Sequence, residues 1–230
     1  MTITIHQPEF LPYIGFFERL RDCDVFVVLD DVGYQKNGFI NRNKIKAEGG
    51  VKWITVPVLG RSPNKKINEI LIDNSKNWQE SILDKIRFSY KKSQYFGDYY
   101  PFLENALNKK WDKIADLDIY LMVGVNEFLG ISPKIIKSSD LEILGNGTER
   151  LIKICEELKA SEYLSGQGTD KGHSVEKEEF ERQRIKVKVK EFSNPKYNQQ
   201  FSEQGFLPYM SIIDLLFNEG PDSQKILKGK

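Results

Sequence analysis

The sequence contains few cysteine and histidine residues, and this scarcity limits the sites it can form. Among its 230 residues are two cysteines, Cys23 and Cys155, and two histidines, His6 and His173. No CxxC pair is present, and these four side chains do not have the spacing of a zinc-ligand set. We therefore predict no protein-bound metal and two reduced, partly buried thiols.

The sequence also lacks an excess of charge of one sign and a long apolar run. The 34 Lys and Arg residues balance 33 Asp and Glu residues, so no overall attraction to nucleic acid or anionic membranes is expected. No window reaches the roughly 20 apolar residues of a membrane span. The N-terminus has neither the basic nor the apolar region of a signal peptide. These absences predict a cytoplasmic protein without a membrane association.

Several catalytic motifs are missing as well. The sequence contains no GxSxG, HExxH or GxGxxG, so serine hydrolases, zincins and Rossmann dehydrogenases have no support. Hydrophobic residues make up 40% of the chain and charged residues 29%, which is typical of a globular protein with a buried core. We predict one α/β domain over residues 1–220, with a mainly helical insertion at about 78–129 and a flexible tail at 221–230.

The first 31 residues have the pattern of a βαβ unit. TITIH at 2–6 predicts a strand, residues 16–22 predict a helix, and the apolar run 25–29 predicts a strand buried on both faces. Further strands are predicted within 53–58, 67–73, 131–139, 161–166 and 184–192. The fold class is therefore α/β, a parallel-type sheet with flanking helices. Since ligands bind beyond the carboxyl ends of parallel strands, we expect four polar residues at one edge of the sheet: His6, Gln7, Asp30 and Asp31.

Two groups of polar residues near the N-terminus are candidates for chemistry. His6, before a proline-containing loop and a helix, could contact a phosphate; alternatively it forms a hydrogen bond with a loop carbonyl. Asp30 could bind a ribose hydroxyl, magnesium or a substrate ammonium, or it could form a turn or cap. The adjacent sequence Asn41–Lys46 offers a guanidinium fork at Arg42 and amines for an anion, although such charge runs are often solvated.

Two further groups lie in the C-terminal half. The glycine-rich turn that begins at Ser165 and Gly166, and continues through Gly168, Lys171 and His173, could bring backbone amides to a phosphate. It lacks the spacing of a P-loop. Tyr197 could line a pocket or fill a surface turn. Thr148 is predicted to cap a helix over 145–158.

Seven segments of the sequence resemble the WbqC-like protein family. They are IHQPEFLPYIGFFERL, DVFVVLDDV, NRNKIK, WITVPV, EYLSG, NPKY and LPYMSIIDLLFNEG, and they extend from residue 3 to about 220. Gly33 and Tyr34 stand where a Gln and an aromatic residue are commoner in the family, so the departure lies at Gly33. The resemblance implies biosynthesis of O-antigen and other surface glycans, with an amino acid or another acyl group attached to the amine of a nucleotide-linked amino sugar. It implies that His6, Asp30 and Arg42 are catalytic residues. It also implies a set of residues that bind the substrate or its phosphate: Gln7, Asn43, Lys46, Ser165, Gly166 and Tyr197.

This hypothesis leaves several alternatives open. The acyl donor is either an amino acid with ATP and Mg²⁺ or an aminoacyl-tRNA. A non-catalytic nucleotide-sugar binding or scaffold protein would use the same phosphate contacts. A nucleotidylyltransferase-like (HUP-type) enzyme is suggested by fold analogy, although the HxGH tetrad is absent. The helical insertion could form a homodimer or cover the site. Its aromatic-rich segment, residues 95–100, could do either or pack in the core, and core packing is favoured.

Overall fold

The computed structural model describes residues 1–60, 62, 64–166 and 176–229. Its strands are β1 (Thr2–His6), β2 (Val25–Val28), β3 (Arg42–Ala47), β4 (Gly50–Thr55), β5 (Val58–Leu59), β6 (Leu71–Ile72), β7 (Lys134–Lys137), β8 (Glu162–Gly166) and β9 (Lys186–Lys190). Its α-helices are α1 (Ile14–Arg21), α2 (Trp78–Tyr90), α3 (Phe96–Leu107), α4 (Ile114–Leu129), α5 (Gly147–Glu157), α6 (Lys177–Arg182), α7 (Ile212–Glu219) and α8 (Ser223–Leu227). Short 3-10 helices span Ile67–Glu69, Ser138–Leu141, Ser202–Gln204 and Gly220–Asp222.

A five-stranded parallel sheet with the order β7-β2-β1-β8-β9 forms the centre of the fold. This arrangement confirms the predicted α/β class. The first strand is central because it pairs with β2 on one side and with β8 on the other, and Ile3 is aligned with Val25 and Tyr163. The initial βαβ unit therefore supplies the middle of the sheet.

The sheet separates two hydrophobic clusters, and β2 contributes to both. Phe26 and Val28 belong to the larger cluster, which includes residues of α1 to α4 and α7. Val25 and Val27 belong to the smaller cluster, which includes residues of α5 and α6. Since successive strand residues point to opposite faces, this division explains why the sequence of β2 is apolar throughout.

The strands predicted within 53–58 and 67–73 do not join the central sheet. The first prediction overlaps β4, which pairs antiparallel with β3 across a tight turn containing Gly49, whose φ is +82°. The second gives a 3-10 turn followed by β6, which pairs antiparallel with β5. An apolar pattern identifies a strand without identifying its partner, and local hairpin pairing prevails here.

One prediction in the C-terminal half differs from the structure, and the segment predicted to be a tail contains a helix. Asn146 is the N-cap of α5, so Thr148 lies inside the first turn and does not cap the helix. The tail predicted to be flexible contains α8, where Leu227 is 1% exposed. Burial of this apolar side chain and a hydrogen bond from Arg21 to the carbonyl of Leu227 explain the ordered helix.

The segment 78–129 forms three helices, α2, α3 and α4, whose inner faces lie in the larger cluster. Gly124 of α4 lies so close to α3 that an added Cβ would meet the ring of Phe102. None of the helices within the described residues is long and apolar enough to cross a membrane.

Candidate functional site

The carboxyl ends of neighbouring parallel strands bring several polar residues to one edge of the sheet. His6 ends β1, Ser138 follows β7, and Gly166 ends β8. Asp30 follows β2 by two residues and is 2% exposed. This is the edge at which open parallel sheets bind ligands.

The His6 ring has a defined proton arrangement. Its Nδ1 lies 2.9 Å from the carbonyl oxygen of Gln7, and because a carbonyl only accepts, Nδ1 donates. The Nε2 atom is then the acceptor of the neutral ring, and it has no hydrogen-bond partner among the described residues. A third of the side chain is exposed, yet surrounding protein desolvates the ring. This desolvation, aided by the positive charge of Arg19, lowers the pKa of His6 to about 3.

Glu9 lies beside His6 and was not predicted from the sequence. Its Oε1 atom is 3.8 Å from Nδ1 of His6, and its side chain is 13% exposed. Desolvation raises the pKa of Glu9 to about 7, although Arg19 opposes the shift. The charge of Glu9 also acts on Asp118 of α4, whose buried carboxylate oxygens have no hydrogen-bond partner in the described structure. Burial and then this charge raise the pKa of Asp118 well above its ordinary value.

Arg19 of α1 is the second residue that the sequence prediction missed. It is 6% exposed, and its Cζ lies 5.7 Å from the ring centre of Phe16, which is itself 5.5 Å from the His6 ring. On the other side, a Cβ built on Gly166 would lie 3.0 Å from its Nη1 atom. The helical spacing of Arg19 and Phe16, three residues apart on one face, was the available signal.

Asp30 and Asp31 are both held by groups of neighbouring elements. Asp30 accepts hydrogen bonds from the Ser138 hydroxyl at 3.2 Å and from the amide and hydroxyl of Ser139 at 3.0 and 2.8 Å. Asp31 accepts from Ser138 and from Arg150, which forms an ion pair with it. Burial raises the pKa of Asp31, but these hydrogen bonds outweigh burial and lower it overall. Both carboxylates therefore fix the loop that follows β2.

The predicted anion-binding residues of β3 lie in three different environments. Arg42 donates to the carbonyl oxygens of Asn37 and Gly38 and lies 4.4 Å above the Trp53 ring. The amide of buried Asn43 donates to the carbonyls of Phe10 and Leu11 and so fixes the loop between β1 and α1. Buried Lys46 donates through Nζ to the carbonyl of Gly205 at 2.7 Å, and desolvation lowers its pKa. The structure thus gives Arg42, Asn43 and Lys46 protein partners and does not gather them around one point.

The remaining predicted residues are also separated. The Tyr197 hydroxyl donates to Asp214 at 2.7 Å, within a buried polar network around α7. The Ser165 hydroxyl donates to the carbonyl of Gly166, at the edge that contains His6. Gln7 is half-buried, and its side-chain amide has no hydrogen bond within the described chain. The glycine-turn residues Gly168, Lys171 and His173 lie outside the described residues.

The acidic and nitrogen-bearing side chains do not form an evident metal centre. In the described ranges, no group of three or more His, Cys, Asp or Glu residues is placed to hold a metal ion. The oxygens of Asp30 are already occupied by the hydroxyl and amide donors around Ser138.

Comparison with known proteins places the chain in a family. The sequence model of the WbqC-like protein family matches residues 7–226, nearly the whole chain. The chain belongs to the WbqC-like protein family. It is 31% identical over 229 residues to "Uncharacterized protein Rv1507c" of Mycobacterium tuberculosis. The aligned region covers 98% of this chain and 97% of that protein. No solved structure matches this WbqC-like chain, so the nucleotidylyltransferase-like analogy stays a prediction.

Proposed function

We propose that this WbqC-like protein is a transferase or ligase of surface-glycan biosynthesis, of the O-antigen type. It attaches an amino acid or another acyl group to the amine of a nucleotide-linked amino sugar. One observation carries the chemical part of the proposal: Nδ1 of His6 donates to Gln7, which leaves Nε2 free to accept a proton at the ligand-binding edge of the sheet. The glycan context rests on the family resemblance.

The reaction requires an amine without its extra proton. The amine nitrogen attacks the acyl carbon, the C–N bond forms, and the bond to the phosphate, adenylate or tRNA ester oxygen breaks. The proton lost by nitrogen passes to Nε2 of His6, which then returns it to the leaving oxygen or to water. Backbone amides around Gly166 are the candidates for stabilising the developing oxyanion.

Glu9 gives this step a dependence on pH. The imidazolium formed on His6 is more stable when Glu9, 3.8 Å away, carries a negative charge. Because the pKa of Glu9 is raised to about 7, turnover should increase as the pH rises through that value. In this proposal Asp30 positions the edge through Ser138 and Ser139. Arg42 and Lys46, which donate to backbone carbonyls, have no assigned role in it.

Two substitutions of His6 test the base role. His6→Asn keeps a donor near the position of Nδ1, whereas His6→Gln places an amide near that of Nε2, and neither amide is a base. We expect both variants to lose roughly 10²–10⁴-fold in kcat, while the substrate still binds. The assay combines amino-sugar nucleotides with an amino acid, ATP and Mg²⁺, or with aminoacyl-tRNA, and detects the amide by mass spectrometry.

The control is Lys225→Gln, which changes an exposed side chain of α8 that is paired with Asp222. Full turnover by His6→Asn would contradict the base role. Binding of amino-sugar nucleotides by the parent protein without turnover from either donor would support the non-catalytic binding protein instead.

A further inference from the structure

Arg19 is a buried charge without a partner in the described structure. It is 6% exposed, and no carboxylate of a described residue lies within 4.0 Å of its guanidinium. Its five N–H donors have no hydrogen-bond acceptor among those residues either. None of its nitrogens is among the fully enclosed polar atoms that lack a partner, so the guanidinium is accessible from the edge of the sheet although the residue as a whole is 6% exposed. Buried charges in folded proteins are normally paired, because desolvation of an isolated ion is costly. An unpaired guanidinium at a ligand-binding edge therefore suggests that its partner is supplied by a ligand.

The surroundings of Arg19 define where that ligand would lie. Phe16 separates the guanidinium from the His6 ring, with distances from the Phe16 ring centre of 5.7 Å to Cζ of Arg19 and 5.5 Å to the centre of the His6 ring. Gly166 provides space for Nη1, since a Cβ there would be only 3.0 Å away. The ends of β1 and β8 therefore frame the guanidinium at the edge that carries His6.

We propose that Arg19 binds an anionic group of the substrate, a carboxylate or a phosphate, beside the His6–Glu9 pair. This inference rests on the proposed function and deepens it by naming the group that holds the substrate. The planar guanidinium fork matches both anions through two parallel hydrogen bonds. Its buried position makes each of these bonds stronger than at the surface.

Anion binding would also change the properties of the catalytic pair. The positive charge of Arg19 lowers the pKa of both His6 and Glu9. An anion on Arg19 offsets that charge, so the pKa of both His6 and Glu9 rises. The ring becomes a better base when substrate is present, and the pH at which Glu9 ionises moves upward. The positive charge of Arg19 acts to lower the pKa of five titratable groups: His6, Glu9, Tyr13, Cys23 and Tyr163. Asp118 interacts in turn with the charge of Glu9.

Anion titrations followed by NMR of the His6 ring test this proposal. Inorganic phosphate and acetate are the two probes, and His173→Asn identifies which of the two histidine signals belongs to His6. We expect saturable shifts in the parent protein and at least about tenfold weaker binding in Arg19→Met. Stronger binding of phosphate would indicate the nucleotide diphosphate as the bound group, and stronger binding of acetate would indicate the carboxylate of an amino acid.

Arg21→Met is the matched control, since Arg21 lies on the same helix but is already paired with Asp22 at 2.6 Å. It should bind both probes as the parent does. Arg19→Lys keeps the charge but loses the fork, so it should bind with intermediate affinity; it also serves as the test if Arg19→Met does not fold. The absence of binding by the parent at about 50 mM of either probe, or unchanged binding by Arg19→Met, would overturn the proposal.

The result can be separated from the outcome of the proposed function. If Arg19 binds anions but His6→Asn retains turnover, the anion site stands and the base role fails. If turnover depends on His6 while Arg19→Met keeps the parent KM and anion affinity, the base role stands and the anion site fails.

Discussion

At the scale of single residues, the site depends on two neighbouring groups that hold one proton between them. Between about pH 3 and pH 7 the proton resides on Glu9, because the pKa of Glu9 is raised to about 7 and that of His6 is lowered to about 3. An uncharged imidazole next to an uncharged carboxylic acid avoids two buried charges. The pair is thus neutral in this pH range and becomes negatively charged as the pH rises through about 7.

This arrangement predicts a cancellation in the pH dependence of stability. Glu9, with a raised pKa, contributes stability below about pH 4.5 that is lost as the pH rises through 7. His6, with a lowered pKa, contributes stability above pH 6.5 that is lost as the pH falls toward 3. Between about pH 4.5 and 6.5 the two slopes oppose each other, so the pair adds little net slope to the free energy of unfolding.

Single substitutions should expose each slope. Relative to the parent, we expect the free energy of unfolding of Glu9→Gln to rise with pH over this interval and that of His6→Asn to fall. The fall for His6→Asn is at most about 1.4 kcal/mol per pH unit. The rise for Glu9→Gln is smaller, because a third of the His6 side chain is exposed and solvent screens its charge. Urea unfolding at several pH values measures both differences. Parallel curves for all three proteins would contradict the proton assignment.

The sequence alone indicates where this candidate site lies, but it does not indicate all of the residues that surround it. His6 was identified because it ends a strand that begins a βαβ unit, and this argument needs only local patterns. Glu9 and Arg19 could not be identified in the same way. Their importance comes from burial and from distances to His6 across a loop and a helix, which tertiary packing determines.

At the scale of secondary-structure elements, a buried polar network joins α2, α7 and β3. The Tyr90 hydroxyl donates to Asp214 at 2.7 Å and accepts from the backbone N–H of Lys46 at 3.0 Å. Tyr197 and Gln199 donate to the other oxygen of Asp214. The predicted ligand residues Lys46 and Tyr197 therefore have structural contacts that a sequence pattern cannot distinguish from contacts with a ligand.

Removal of one hydroxyl from this network should affect stability according to what is left unpaired. Tyr90→Phe leaves two buried groups without a partner, and we expect a loss of about 2–4 kcal/mol in the free energy of unfolding. Tyr197→Phe is the matched control: Gln199 still donates to the same oxygen, and the loss should be about 1 kcal/mol or less. Urea unfolding gives both values. Equal losses would show that Tyr90 does not connect these elements.

The pairing partners of the strands explain which of them could be placed correctly from the sequence. The apolar pattern of β2 requires two covered faces, so its place in the sheet follows from the sequence. The pairing of β3 with β4 depends on the turn around Gly49, and that of β5 with β6 spans a longer connection. β4, β5 and β6 contain apolar residues typical of strands, whereas β3 is mostly polar and was not predicted as a strand. The separation of both pairs from the central sheet depends on contacts between distant segments.

At the scale of the whole molecule, the site lies where both hydrophobic clusters meet the carboxyl edge of the sheet. A ligand that binds at this edge requires the folded arrangement of the strands, so we expect it to raise the melting temperature. At a concentration of about 100 times Kd, it adds roughly 2.7 kcal/mol, which corresponds to a shift of roughly 5–10 °C for a chain of this size.

Matched nucleotide sugars make this shift informative about the acceptor. We expect UDP- or dTDP-linked amino sugars to raise the melting temperature more than the same nucleotide sugars with a hydroxyl in place of the amine. A hydroxyl can also donate to Nε2 of His6, but a sugar amine that binds as its ammonium ion forms a stronger, charge-assisted hydrogen bond with that nitrogen. A shift that disappears in His6→Asn would assign it to this contact. A shift with ATP and Mg²⁺ alone would instead favour an adenylate-forming or nucleotidylyl reaction. Equal shifts for the amine and hydroxyl sugars would contradict recognition of the amine at this edge.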